Sequence, residues 1–163
     1  MTFNPYKMFD VKGKVALIIG ATGAFGSVAS RTLSGAGCNL ALTGGNNDAL
    51  EEISKECDQI GSMTLSINER PENENCCKSI VDKTIEKYNR IDILVVASGI
   101  NKVSKIDEMS VDTFTSVMDI NVTQSWMITR QVTKQMKKQE LGGKIVLVSS
   151  ARGLLGHPAG YTA

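Results

Sequence analysis

Short apolar runs alternate with one-faced helical patterns along most of the chain. The run Val15–Ile19 is rich in β-branched residues and ends at a glycine, which is typical of a buried parallel strand. Four further strands are predicted, at residues 39–43, 62–67, 91–96 and 144–148. Helices are predicted over residues 24–36, 48–59, 76–88 and 121–139, and another begins near Ser110. Strands that alternate with helices in this way predict an α/β protein with a Rossmann-like, doubly wound parallel sheet.

The apolar positions also predict which surfaces should be buried. One face of the helix over residues 24–36 carries Phe25, Val28, Ala29 and Leu33. The longest helix, over residues 121–139, has a stripe that consists of Val122, Trp126, Thr129, Val132, Thr133 and Met136. The apolar fifth strand is expected to be buried. We therefore predict that both helix faces pack against the sheet.

A glycine-rich turn joins the first strand to the first helix, with the sequence Gly20-Ala21-Thr22-Gly23-Ala24-Phe25-Gly26. Residues without a Cβ let the backbone approach a ligand closely, and the N–H groups at a helix start attract an anion. The turn lacks the Gly-Lys-Ser/Thr ending of a triphosphate-binding loop, which disfavours a kinase or ATPase. An ordinary glycine turn is the alternative. We predict that a dinucleotide pyrophosphate is bound by Gly20, Thr22, Gly23, Ala24, Phe25 and Gly26.

Composition and charge narrow the class of protein. The 163 residues are 42% hydrophobic and 5% aromatic, which is typical of one α/β domain, so we assign residues 1–163 to a single dinucleotide-binding domain. Lys and Arg total 18 against 17 acidic residues and form no basic stripe, so nucleic acid is not an expected partner. The apolar runs are too short to span a bilayer and no signal-peptide pattern opens the chain, so we expect a cytoplasmic protein without a membrane partner.

The four cysteines do not follow a metal-binding or disulfide pattern. They are Cys38, Cys57, Cys76 and Cys77, with no C-x-x-C pair, and the single histidine, His157, is distant in sequence. We expect reduced thiols and no bound metal. Because adjacent helical residues point to different sides, at least one of Cys76 and Cys77 is expected to pack as a small apolar group.

From about Lys12 to its end, the chain resembles the N-terminal two thirds of a classical short-chain dehydrogenase/reductase. The glycine turn resembles the family's T-G-x-x-x-G-x-G segment, with Ile19 and Ala24 where the family has Thr and Gly. The segment Asp92–Gly99 resembles D-x-L-V-N-N-A-G, with Val96-Ala97-Ser98 in place of Asn-Asn-Ala. Since the family's asparagines brace the sheet and the cofactor side of the cleft, this departure affects cofactor geometry more than the fold.

Two further segments resemble the family's catalytic motifs. Asp119–Val122 is similar to the segment that carries the catalytic asparagine, which implies that role for Asn121. Gly143–Gly153 resembles G-x-I-V-x-x-S-S-x-x-G, and this spacing assigns the catalytic serine to Ser150. In the family, a Tyr-x-x-x-Lys pair follows. The tyrosine is the general acid/base, and the lysine lowers its pKa and holds the nicotinamide ribose.

The chain ends at Tyr161-Thr162-Ala163, which leaves two alternatives for the catalytic tyrosine. Either Tyr161 is that residue and the lysine would come four positions later, or the tyrosine itself would follow Ala163. Under both alternatives we expect a truncated chain that binds its cofactor better than it catalyses.

The resemblance implies a nicotinamide dinucleotide as the cofactor. At the end of the second strand, an acid would hold a ribose 2′-OH and an arginine would hold a 2′-phosphate, but Thr43-Gly44-Gly45-Asn46 contains neither. NADP(H) is favoured over NAD(H), because small residues leave room for the phosphate. The other expected cofactor-binding residues follow the strands: Gly45, Asn46, Ser66, Ile67, Ala97, Ser98 and Gly99.

The implied reaction is hydride transfer between the nicotinamide and a small-molecule carbonyl or secondary alcohol. Ser150 would hydrogen-bond the substrate oxygen, the tyrosine would exchange its proton, and Asn121 would position a water in the proton relay. The resemblance also implies a homo-oligomer for the intact protein. Alternatives are a non-catalytic dinucleotide-binding module, an inactive fragment, or an S-adenosylmethionine methyltransferase, which would not explain the Ser149-Ser150 pair.

Overall fold

A parallel sheet orders the part of the chain that the computed structural model describes, residues 5–155. Its strands are β1 (Val15–Ile19), β2 (Asn39–Thr43), β3 (Thr64–Ile67), β4 (Ile93–Val96) and β5 (Lys144–Leu147). The α-helices are α1 (Ala24–Gly35), α2 (Asn47–Ile60), α3 (Glu74–Tyr88), α4 (Val111–Met118) and α5 (Gln124–Met136). A π-helical turn, Asp119–Thr123, leads into α5, and short 3-10 helices span Pro5–Phe9 and Ala151–Gly153. Each predicted strand is present, which confirms the α/β class.

The strand order β3-β2-β1-β4-β5, with parallel pairing throughout, confirms the doubly wound Rossmann-like sheet. Ile19 at the end of β1 lies opposite Thr43 on one side and Val96 on the other. The chain therefore leaves β1 in one direction and later returns to add β4 on the opposite side. Such a switch point opens a crevice at the carboxyl ends of the strands.

Alternate residues of the sheet fill two separate cores. Leu17 and Leu94 point to one face, where they join a buried cluster with residues of α3 and α5. Ile18 and Leu40 point to the other face, where they join residues of α2 such as Leu50. Because both faces are covered, β1 and β2 are apolar along nearly their whole length.

The predicted face of α1 is partly wrong. Ala29 and Leu33 pack against the core, but Phe25 is 70% exposed and Val28 is 61% exposed. The helix instead buries Gly26, Ser30 and Ser34. Small side chains let α1 approach β1 and α2 closely. The buried serine hydroxyls have backbone acceptors: Ser30 donates to the Gly26 carbonyl oxygen within α1, and Ser34 donates to the Cys57 carbonyl oxygen of α2.

The predicted stripe of α5 is also partly wrong. The helix buries Gln124, Ile128, Val132 and Met136, so only the last two of these belong to the predicted face. Val122 is 52% exposed and Trp126 is 58% exposed. The buried residues recur every four positions, so the buried face lies to one side of the predicted stripe, and it is the face on which Ile128, Val132 and Met136 pack in the core. Trp126 instead contacts the Arg130 guanidinium, 5.3 Å from the ring centroid.

Strand β5 is exposed, which corrects the prediction of a buried fifth strand. Ile145, Val146 and Leu147 are 38%, 51% and 54% exposed. The strand lies at the edge of the sheet, where it pairs with β4, and no described strand lies beyond it. Its apolar sequence indicates burial, but burial also requires elements on both sides.

The four cysteine thiols are buried or half-buried, and none of them forms a disulfide bond. Cys77 is buried and Cys76 is half-buried, as the adjacent-residue argument predicted. Burial raises the pKa of Cys38 to about 11, and burial likewise raises that of Cys77 to about 11. Both thiols are therefore protonated at neutral pH and behave as small apolar groups.

Candidate functional site

A cleft of about 270 Å³ opens at the carboxyl ends of the strands, where the switch point lies. The glycine turn forms its floor, and the segments that follow β2, β3 and β4 form its walls. The lining residues are Ile19, Gly20, Thr22, Gly23, Thr43, Gly44, Gly45, Arg70, Pro71, Glu72, Ala97, Ser98, Gly99, Ile100, Ile120 and Gln124. Seven residues of the predicted cofactor set are among them.

Gly20 turns the chain sharply at the centre of this cleft. Its φ of +81° lies in the left-handed region, and a Cβ there would come within 2.8 Å of the Ser98 backbone nitrogen. The N–H groups of Gly20 and Ala21 donate to the Thr43 carbonyl oxygen at 3.1 and 2.9 Å, which ties the turn to the end of β2. Both the backbone conformation and the neighbouring loop after β4 therefore require glycine at this position.

The first turn of α1 follows directly and presents its backbone to the cleft. Gly23 is the N-cap residue and provides no side-chain cap, whereas α2, α3 and α4 are capped by Asn46, Asn73 and Ser110. The N–H groups of a first helical turn have no partner within the helix. Those of α1 therefore remain available to an anion.

The remaining residues of the glycine turn differ in position. Ala24 and Phe25 are exposed in the first turn of α1 and do not line the cleft. Gly26 is buried beneath the turn, where a Cβ would overlap the Gly20 carbonyl oxygen. Because Gly26 has no side chain, α1 packs directly on the glycine turn. Gly26 therefore shapes the floor of the cleft without lining it.

The second wall combines the ends of β2 and β3. Gly44 and Gly45 line the cleft, but Asn46 instead accepts the Ala49 N–H at 3.2 Å as the cap of α2. Ser66 is exposed on β3 and does not line the cleft, and Ile67 is buried in the core. The structure therefore brings Gly45, but not the other three predicted residues of this wall, to the cleft.

Arg70 is a cleft residue that the sequence interpretation missed. A Cβ on Gly45 would overlap the Nε, Cζ and Nη2 atoms of Arg70, so the guanidinium lies against the Gly45 backbone. A basic residue shortly after β3 was the available signal, because the parallel pairing of β2 and β3 makes the loops that follow them neighbours. Glu72, two residues later, lines the same wall.

The loop after β4 forms the third wall and is held by Asn121. The Ile100 N–H donates to Asn121 Oδ1 at 2.8 Å, and Asn121 Nδ2 donates to the Ile100 carbonyl oxygen at 2.8 Å. A Cβ on Gly99 would lie 3.1 Å from Asn121 Oδ1. Asn121, in the π-helical turn, thus fixes the backbone of the loop that contains Ala97, Ser98 and Gly99.

Ser150 follows β5 at the same edge of the sheet. The Val148 N–H donates to the Val96 carbonyl oxygen at 3.0 Å, which aligns the end of β5 with the end of β4. The Ser150 carbonyl oxygen accepts the Gly153 N–H at 3.1 Å where the last 3-10 helix begins. Tyr161, the third predicted catalytic residue, lies outside the described residues.

Neither a metal cluster nor a membrane-spanning helix is found within residues 5–155. These residues contain no group of three or more His, Cys, Asp and Glu side chains that could hold a metal ion. None of the described helices is long and apolar enough to cross a membrane.

Comparisons with known proteins match nearly the whole chain. The sequence profile of the family described as short chain dehydrogenase matches residues 14–163. An uncharacterized oxidoreductase of Mycobacterium tuberculosis is 41% identical over 155 residues, which cover 95% of this chain and 57% of that protein. This chain therefore spans less than two thirds of the length of that relative.

Two solved structures are similar in fold and in sequence. A short-chain type dehydrogenase/reductase from Mycobacterium marinum superposes with a TM-score of 0.93 at 27% identity, over 98% of this chain and 65% of that chain. A xylitol dehydrogenase, solved with NAD+ bound, has a TM-score of 0.87 at 29% identity, over 91% of this chain and 57% of that chain.

Proposed function

Because the chain belongs to the short-chain dehydrogenase/reductase family, we propose that it binds a nicotinamide dinucleotide at the carboxyl edge of its sheet. We further propose that the protein is an NAD(P)-dependent oxidoreductase that interconverts a carbonyl and a secondary alcohol. The similar xylitol dehydrogenase, a protein solved with NAD+ bound, supports a cofactor of this class.

The start of α1 is the observation that carries this proposal. Its first turn has no side-chain cap and lies next to Gly20 and Gly23 on the floor of the cleft. A pyrophosphate would accept hydrogen bonds from these N–H groups and interact favourably with the positive end of the helix dipole. The missing side chains at Gly20 and Gly23 leave the space that such a close approach requires.

The proposed chemistry divides between the cofactor and the protein. When bound, the nicotinamide supplies or accepts the hydride. Ser150 would donate a hydrogen bond to the substrate oxygen as negative charge develops there. A tyrosine, proposed as Tyr161, would transfer the proton.

Asn121 has two proposed contributions to this reaction. Its amide hydrogen bonds to Ile100 hold the loop after β4, on the wall of the cleft. The second contribution, the positioning of a water in the proton relay, stays a prediction. Assembly of the full-length protein into a homo-oligomer also stays a prediction from the resemblance.

Calorimetric titration of the full-length protein with NAD+, NADH, NADP+ and NADPH tests the binding proposal. Saturable binding of at least one of them is expected, and binding of none would refute the proposal. Steady-state assays with a panel of ketones, aldehydes and secondary alcohols test catalysis. Cofactor binding without turnover of any compound would instead favour a non-catalytic dinucleotide-binding module.

We also propose that NADP(H) is preferred, and Gly44→Asp is expected to shift the preference toward NADH. A carboxylate at the end of β2 would accept from the ribose 2′-OH and repel a 2′-phosphate. A Cβ on Gly44 would lie 3.3 Å from Thr22 and 3.7 Å from Leu50, so small adjustments accommodate it. The ratio of the two dissociation constants should change by about tenfold or more.

Gly44→Asn is the matched control for this shift, because it adds nearly the same volume without the charge. Isothermal titration with NADPH and NADH measures both variants. An equal loss of NADPH affinity in Gly44→Asp and Gly44→Asn would assign the effect to side-chain volume. A wild-type protein that clearly prefers NADH would contradict the proposed selectivity.

A further inference from the structure

We infer that Arg70, which follows β3, is the residue that selects NADP(H), through its guanidinium bound to the 2′-phosphate above Gly45. This inference rests on the proposed binding of a dinucleotide in the cleft. Arg70 would supply the positive charge that the end of β2 lacks, since Thr43, Gly44 and Asn46 are all uncharged.

The position of the guanidinium is the first argument. Three of its atoms occupy the space in which a side chain at residue 45 would begin. An arginine near the end of the second strand of a dinucleotide fold accommodates a 2′-phosphate. Arg70 thus brings to this point, from a different loop, the group that residues 43–46 do not provide. Glycine at position 45 is what leaves room for it.

The anchoring of the loop after β3 explains why Arg70 reaches Gly45. Thr43 and Ile67 are paired across β2 and β3, so the two loops start side by side. Before Arg70, the Glu69 carboxylate accepts from Ser79 Oγ at 3.1 Å and from Lys83 Nζ, both on α3. After Arg70, Pro71 is buried. The backbone on both sides of Arg70 is therefore held by contacts that do not involve its own side chain.

The charge of Arg70 is uncompensated within the described part of the chain. The guanidinium groups of Arg31, Arg90 and Arg130 form ion pairs with Glu56, Asp92 and Glu74, respectively. No hydrogen bond or ion pair links the Arg70 side chain to another described residue. A planar guanidinium with unused donors, on the wall of a cleft, matches the geometry of a phosphate group.

Glu72 is the opposing consideration, because its carboxylate lines the same wall. A carboxylate in this region can also serve as the partner of a ribose 2′-OH, which would favour NAD(H). Three guanidinium atoms of Arg70 are the atoms nearest to a Cβ built on Gly45, and no Glu72 atom is among the three nearest at Gly44 or Gly45. We therefore assign the 2′-position to Arg70, and the experiment includes a Glu72 variant.

The test measures dissociation constants of NADPH and NADH by isothermal titration for the full-length protein and its Arg70→Gln variant. The loss of a charge-assisted contact is expected to weaken NADPH binding by about 10- to 100-fold. NADH binding should change by less than about twofold, because NADH lacks the 2′-phosphate. The same selectivity is expected between adenosine 2′,5′-bisphosphate and 5′-AMP, which lack the nicotinamide half.

Two further variants complete the design. Lys87→Gln removes the same unit charge from the exposed last turn of α3 and should leave both affinities unchanged. Arg70→Lys keeps the charge but not the planar fork, and is expected to recover part of the NADPH affinity.

Several results would overturn the assignment. An equal loss for NADPH and NADH in Arg70→Gln would indicate contact with the shared adenosine or pyrophosphate, and no loss would remove Arg70 from the site. If the wild type prefers NADH and Glu72→Gln weakens NADH binding, the contact with the ribose 2′-OH would be assigned to Glu72. Binding of neither cofactor to the wild type would refute the dinucleotide proposal itself, whereas NADH binding without phosphate selectivity would refute only the role of Arg70.

Discussion

Ser150→Ala is expected to lower the kcat of the full-length protein by about 10²–10³-fold, which corresponds to about 2.7–4 kcal/mol of transition-state stabilisation. Ser150 lies at the carboxyl edge of the sheet, two residues beyond the Val148 N–H that bonds to Val96 at the end of β4. The proposed hydroxyl donor acts on the substrate oxygen as charge develops. Its removal should therefore affect the chemical step far more than cofactor affinity.

Steady-state kinetics with the best carbonyl substrate, together with a cofactor titration, separate these two effects. Ser149→Ala is the matched control, since it removes the neighbouring hydroxyl of the Ser149-Ser150 pair and should reduce kcat by no more than about threefold. Equal effects in the two variants, or an unchanged rate in Ser150→Ala, would contradict the catalytic assignment of Ser150.

Gly20→Val is expected to abolish cofactor binding and to destabilise the protein. The φ of +81° at Gly20 is unfavourable for a β-branched residue, and a Cβ would lie 2.8 Å from the Ser98 backbone nitrogen and 2.9 Å from the Ser98 Cα. The backbone has to move, because neither obstacle is a flexible side chain. That movement displaces the turn from the end of β2, to which Gly20 and Ala21 donate hydrogen bonds.

Gly13→Val separates backbone strain from damage to the cofactor site. Gly13 has a similar φ of +73°, but no atom lies within 4 Å of a Cβ built there, and Gly13 does not line the cleft. Thermal unfolding should show a loss of about 1–3 kcal/mol for this control, with cofactor affinity retained. Undiminished NADPH or NADH titration in a folded Gly20→Val protein would show that the glycine turn does not hold the cofactor.

The departures from the family's motif in Asp92–Gly99 have a limited structural effect. Val96 is buried, and the Ala97 N–H donates to the Ile19 carbonyl oxygen at 2.9 Å, so the ladder between β4 and β1 continues without asparagine side chains. The cofactor side of this wall is instead braced by the Asn121 amide through Ile100. The proposed site thus keeps an asparagine brace, although it comes from the π-helical turn.

Much of the fold follows from local sequence patterns. Continuous apolar strands between amphipathic helices predict a buried parallel sheet, and the glycine turn after β1 identifies the edge at which ligands bind. These features depend on residues close together in sequence, such as Val15–Ile19 and the Gly20–Gly26 turn. For this reason local sequence patterns are sufficient to predict them.

Other features depended on contacts between distant segments. The faces of α1 and α5 were predicted from hydrophobicity, but the close approach of small residues such as Ser30, and the packing of Ile128 in the core, decided which residues are buried. The exposure of β5 depends on what lies beside it in the sheet. Hydrophobic periodicity records the preference of each side chain for burial, and it contains no information about the distance or phase of the partner element.

The amino-acid sequence by itself determined the α/β class, the order of strands and helices, the glycine cradle and the family motifs around Asn121 and Ser150. Only the tertiary structure decided that Asn121 holds Ile100 and that the guanidinium of Arg70 lies on Gly45. These pairs are separated by 21 and 25 positions, so they meet through the parallel register of the strands and not through local spacing. Register is set by the packing of the whole sheet, which no single motif encodes.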